Sequence, residues 1–118
     1  MSQNFKAGDF LVFQLEAGFA LLRILAIDEG EEPVWHVAAY SEMFLDVDSA
    51  ESAINSFAPF SFNVPHAALT DRAFLATQVS KIASRDLDPS ELLDLDEWRN
   101  SAEKTVSDRS IRLLMGLR

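Results

Sequence analysis

The sequence predicts an α+β fold: a small antiparallel sheet with a barrel-like curl from the N-terminal half, and helices mainly in the C-terminal half. Three observations carry this expectation. Two nearly continuous apolar runs, residues 10–13 and 19–27, are bounded by Gly8 and Gly18, the pattern of strands between turns. Helix-start signals, an acceptor followed by Glu three residues on, come later, at residues 48–51 and 88–91. Finally, 118 residues with 48% hydrophobic content and nine Phe suffice for one core in one domain, 1–118, without disulfides.

Taken in order, Phe10, Leu11, Val12 and Phe13 are all apolar, so this strand is expected to be buried on both faces. Glu16-Ala17-Gly18 reads as a three-residue hairpin loop into the second strand, which ends at the turn composition of residues 28–33. Residues 34–40 supply a third strand. Asp48 is the expected N-cap of a helix carrying Ala50, Ala53, Ile54 and Phe57 on one face, closed before Pro59. Residues 60–64 alternate, which predicts a strand with Phe60, Phe62 and Val64 inward and with Pro65 at its end or on a sheet edge. After the N-cap pair Thr70-Asp71, the positions Leu75, Val79, Ile82 and Ala83 fit one helical face, a strand at residues 79–83 being the alternative. Asp88-Pro89-Ser90-Glu91 opens another helix, near whose end Trp98 is the expected anchor. A last helix is expected from Ser101, with Val106, Ser110, Ile111, Leu113, Leu114 and Met115 as its apolar side and Gly116 as its stop.

Charge is distributed unevenly. Residues 1–59 hold two cations and ten acids, a net −8, whereas residues 60–118 hold eight cations and nine acids, a net −1. Asp28, Glu29, Glu31, Glu32, Glu42, Asp46, Asp48 and Glu51 occur with no Lys or Arg among them, and the last twenty residues are locally basic. The acidic balance argues against nucleic acid and anionic membrane surfaces as partners, since both are bound through Lys and Arg. The longest apolar run, nine residues broken by Arg23, is short of the roughly 20 a membrane-spanning helix needs. The start, Met1-Ser2-Gln3-Asn4-Phe5-Lys6, has no apolar block of a signal peptide, so a cytoplasmic location is the expectation.

Few catalytic motifs are present. With no Cys there is no thiol chemistry, and Gly8, Gly18, Gly30 and Gly116 stand alone, which removes the phosphate-binding loop and the dinucleotide fingerprint. His36 is read as a structural histidine on the strand face opposite Trp35 and Val37. His66, after Pro65, is the candidate centre of an alternative, enzymatic or ligand-binding, reading, with Asp71 or Glu42 to orient it. No metal site, cofactor or catalytic residue is assigned. Trp35, Tyr40, Phe44, Phe57, Phe60 and Phe62 are expected to fill the core. Met43-Phe44-Leu45 differs from these: an apolar trio between Glu42 and Asp46, with Asp48 beyond, is the composition of a partner-binding patch.

Lys6-Ala7-Gly8-Asp9-Phe10, Leu15, Gly18-Phe19-Ala20 and Arg23-Ile24-Leu25 together resemble the first hairpin of small bacterial barrel proteins counted among the immunity proteins of toxin systems. The resemblance covers the first quarter of the chain. It implies a non-catalytic protein that binds and blocks a toxin. The leading expectation is therefore a non-enzymatic protein-binding domain, an inhibitor of a basic partner, that makes contact through Glu42, Met43, Phe44, Leu45, Asp46 and Asp48. A homodimer with the apolar trio as its interface is a further alternative.

Overall fold

The structure, a computed structural model, describes residues 4–117; Met1, Ser2 and Gln3 of the start and Arg118 of the basic tail lie outside them. Strands β1 (Asp9–Leu15), β2 (Gly18–Asp28), β3 (Val34–Phe44), β4 (Phe62–Thr70) and β5 (Ser80–Ser84) form one sheet in the order β4-β3-β2-β1-β5. Every neighbouring pair is antiparallel. Four helices cover it: α1 (Val47–Asn55), α2 (Asp71–Leu75), α3 (Leu93–Arg99), entered through a 3₁₀ turn at Pro89–Leu92, and α4 (Ile111–Leu114).

The α+β class and the N-terminal sheet are as expected, but the sheet is open. β4 and β5 are its edges and do not meet. Layering replaces closure: one face carries Leu11, Phe13, Leu22, Ile24, Trp35 and Val37 under Phe74 of α2 and Ile111 of α4. The other face carries Phe10, Val12, Leu21 and Tyr40 under Ala50 and Ile54 of α1. Leu25 and Ala38 continue that second face under Leu95 of α3. With helices on both sides, residues 9–13 are all buried, which is why their run shows no alternation.

Leu15 pairs with Gly18, so the β1–β2 connection is the two-residue turn Glu16-Ala17 rather than a loop of three. Gly18 has φ of +155°, and a Cβ there would stand 2.4 Å from the Phe44 carbonyl oxygen. Gly18→Ala is accordingly expected to lower stability by about 1–3 kcal/mol; a urea midpoint equal to wild type would show that the turn swings clear of β3.

Several local signals were overridden by tertiary contacts. Asp46, not Asp48, caps α1, accepting from the Ser49 amide at 2.7 Å, because the chain turns into the helix directly after β3. The strand expected at 60–64 starts at Phe62 and runs on to Thr70, with Pro65 inside an edge strand, where a missing N–H leaves no ladder bond unmade. Phe60 precedes the strand and packs on Tyr40, and Phe62 is 44% exposed. Phe57, expected inside, is 72% exposed and lies against the Arg85 guanidinium. Thr70 caps α2 as expected, but the helix stops at Leu75. Val79 precedes β5, and Ile82 and Ala83 lie within it, because the open edge of β1 offers backbone partners that β-branched residues suit.

The Asp88 capping box is present, and Trp98 anchors the end of α3 by donating from Nε1 to the Thr105 carbonyl at 2.8 Å. The tail helix is much shorter than expected. Residues 101–109 cross the β4 edge instead, where the Ser107 amide donates to Ala68 O at 2.8 Å and the Thr70 amide to Ser107 O at 3.0 Å. Val106 is therefore outside the helix, and Ser110 caps the single turn α4, which buries Ile111.

Candidate functional site

β3 ends at Phe44, and the predicted surface residues follow from how the chain leaves it. Glu42 accepts two bonds from the Ser61 amide, at 3.0 and 2.9 Å, tying β3 to the segment before β4. Asp46 is occupied as the cap of α1. Phe44 turns inward and meets Phe60 edge to face. That leaves Met43 at 46% and Leu45 at 85% exposure, with Asp48 exposed on the first turn of α1. The six residues lie at one end of the sheet, but Phe44 is packed inward and Glu42 and Asp46 are engaged with backbone amides.

The acidic segment is not one face. The 11 residues of β3, at about 3.3 Å each, separate Glu29, Glu31 and Glu32 at one end of the sheet from residues 42–51 at the other. At the first end the basic tail pairs with the acidic segment: Arg99 grips Asp28 through two bonds, of 2.9 and 3.1 Å. Arg72 pairs with Asp108. Among the described residues no ion pair involves Glu42, Asp46, Asp48 or Glu51.

The two histidines, each isolated in sequence, come together. Ala26 of β2 is the register partner of His36, and Ala68 of β4 is its partner on the other side. Asp28 and His66, each two residues away along those strands, are diagonal neighbours of His36 on one face. His36 Nε2 lies 2.8 Å from Asp28 Oδ2, and His36 Nδ1 lies 2.9 Å from His66 Nε2. Trp98 of α3 closes over both rings, with centroids 4.7 Å from His36 and 5.9 Å from His66. The expected orienting groups are used elsewhere: Glu42 holds Ser61, and Asp71 accepts from Trp35 Nε1 at 2.9 Å.

Protonation states follow from this geometry. The hydrogen bonds from Arg99, and then that from His36, hold Asp28 down at about 2 against burial, so the carboxylate is ionised. Burial is the largest influence on His36 and outweighs the opposing pull of Asp28, so its pKa falls. Burial, then the charges of His36 and Arg99, lower His66 to about 4 despite Asp94. Both rings are neutral at pH 7. An ionised carboxylate only accepts, so His36 Nε2 carries its hydrogen, His36 Nδ1 accepts, and His66 Nε2 donates to it. His66 Nδ1 is left with a lone pair, and the His66 residue, with Trp98, Val64 and Leu114, helps to line a groove of about 370 Å³ at the β4 edge. The sequence places His36 in an expected strand and His66 just past the end of another; the longer β4 and its register, which make the contact, are tertiary properties. The chain matches no family model, no curated protein and no solved structure.

Proposed function

We propose that this is a non-catalytic protein-binding domain that engages a basic protein surface through the end of the sheet where β3 passes into α1. An inhibitor of a toxin is the specific form implied by the immunity-protein resemblance of the first hairpin. The observation that carries the reading is Leu45, 85% exposed between the helix-capping Asp46 and the strand end. An apolar side chain held out by a capped turn is pre-ordered to enter a partner's pocket. The acids around it supply complementarity to a basic surface and would accelerate association in a salt-dependent way.

Glu42 and Asp46 hold backbone amides, so their reversal would confound folding with binding. Leu45→Asp and the pair Asp48→Lys and Glu51→Lys change the surface without removing a hydrogen bond or ion pair found among the described residues. A partner recovered by co-purification at low ionic strength is expected to bind Leu45→Asp at least about 30-fold more weakly, the equivalent of about 2 kcal/mol. The charge pair is expected to slow association and flatten its salt dependence. Recovery of no partner, or equal affinity of all forms, would reject the site. A dimeric mass in light scattering that Leu45→Asp reduces to monomer would assign the surface to self-association instead.

A further inference from the structure

We propose that the groove at the β4 edge is a second binding site, independent of the Leu45 surface, for a small uncharged planar ligand bearing an N–H or O–H donor, with His66 Nδ1 as the acceptor. Three features converge. The Asp28–His36–His66 chain contains two bonds and two N–H groups, so it is satisfied only when His66 Nδ1 keeps its lone pair toward an outside donor. A histidine with a bound tautomer is a directional acceptor, because the rest of the chain opposes the flip that would turn Nδ1 into a donor.

Shape and charge specify the ligand class. The groove, of about 370 Å³, is of the size that takes a one- or two-ring molecule. Its lining is mostly apolar, from Val64, Ala68, Val106 and Leu114, with the Trp98 indole as an aromatic wall. That wall is already in place, fastened by its bond to Thr105. Aromatic neighbours favour a flat partner. The charged groups around the imidazoles are Asp28 from β2 and Asp94 and Arg99 from α3: Asp28 and Arg99 neutralise each other in a two-bond fork, and Asp94 and Arg99 act on a cation at His66 in opposite senses. A neutral donor fits where neither an anion nor a cation is matched.

The test uses the whole protein labelled with ¹⁵N histidine. The ring signals are expected to show both histidines as Nε2–H tautomers. Phenol and indole, as donor probes, are expected to shift the His66 Nδ1 and Trp98 side-chain signals saturably. Anisole and 1-methylindole, which lack the donor, are expected to bind at least tenfold more weakly. A His66 Nδ1–H tautomer, absence of shifts, or equal shifts with donor and methylated probes would overturn the proposal. His66→Phe keeps a ring and removes the acceptor, so donor-dependent shifts at Trp98 that survive in it would overturn it as well; the tautomer and probe comparison on the wild-type protein hold even if that variant does not fold.

Discussion

Arg23→Ala is expected to destabilise the protein by about 4 kcal/mol, within the 3–5 kcal/mol typical of breaking a buried ion pair and a large part of the roughly 5–15 kcal/mol that holds a domain folded. Arg23 is 0% exposed in the middle of β2. Its guanidinium lies 4.0 Å over the Phe10 ring. It donates to the carbonyl oxygens of Gly8 and Asp86 and pairs with the Glu91 carboxylate at 3.3 Å. It therefore joins the start of the chain, the centre of the sheet and the capping box that opens α3. Removing it leaves a cavity, the Asp86 carbonyl without this donor, the Gly8 carbonyl with only the Arg85 amide, and the Glu91 carboxylate without its cation. Arg23→Lys should rescue little, because one ammonium does not span three acceptors as the planar fork does. Arg23→Met with Glu91→Leu should recover part of the loss, since a packed apolar pair avoids the stranded charge. Urea unfolding measures all of these. A loss below about 1 kcal/mol in Arg23→Ala would mean that water replaces the guanidinium in the native state.

Acidification is expected to weaken the fold well before most carboxylates titrate. An imidazole in the unfolded chain takes up a proton near pH 6.5, whereas folded His66 resists until about 4. Across that window the unfolded state binds more protons, so stability is complete above about pH 6.5 and falls as the pH falls. The span corresponds to about 3 kcal/mol for His66, and His36, also lowered by burial, adds in the same direction. Asp28, held at about 2 chiefly by Arg99, extends the decline below pH 4, because its protonation releases both the fork and the chain. Denaturation at about pH 7.5, 6 and 5 isolates the histidines, the side chains that titrate in that range. Constant stability over it, or an equally steep fall in the His36→Phe, His66→Phe double variant, would show that the imidazoles are not held neutral by the fold.

Residues carrying their own local instructions behaved as their chemistry requires. Asp88-Pro89-Ser90-Glu91 supplies acceptor, fixed φ and return bond within four residues, and it opens a helical turn in the structure. Thr70 caps α2, and Gly18 stands where a side chain would strike Phe44. The segments that departed from expectation are those whose partner is distant in sequence. Val79, Ile82 and Ala83 satisfy a helical spacing, yet β1 had an unpaired edge, and Ile82 and Ala83 became part of the strand that pairs with it. Residues 101–109, expected as helix, are irregular and meet β4 through Ser107. The candidate sites divide in the same way. Leu45 among acids is visible in the order of residues. The Asp28–His36–His66 chain is not, since its members lie 8 and 30 positions apart and meet through two strand registers.

By itself the sequence determined the class of the fold, the caps at Thr70 and Asp88, the apolar content of each strand and the acidity of the N-terminal half. These are properties of single residues and their near neighbours. Tertiary structure decided that the sheet stays open under two helical layers, which acids remain on a common surface, and which two of 118 residues form a neutral imidazole pair. Those outcomes depend on register and on competition for unpaired backbone edges, and both are settled only when distant segments are packed together.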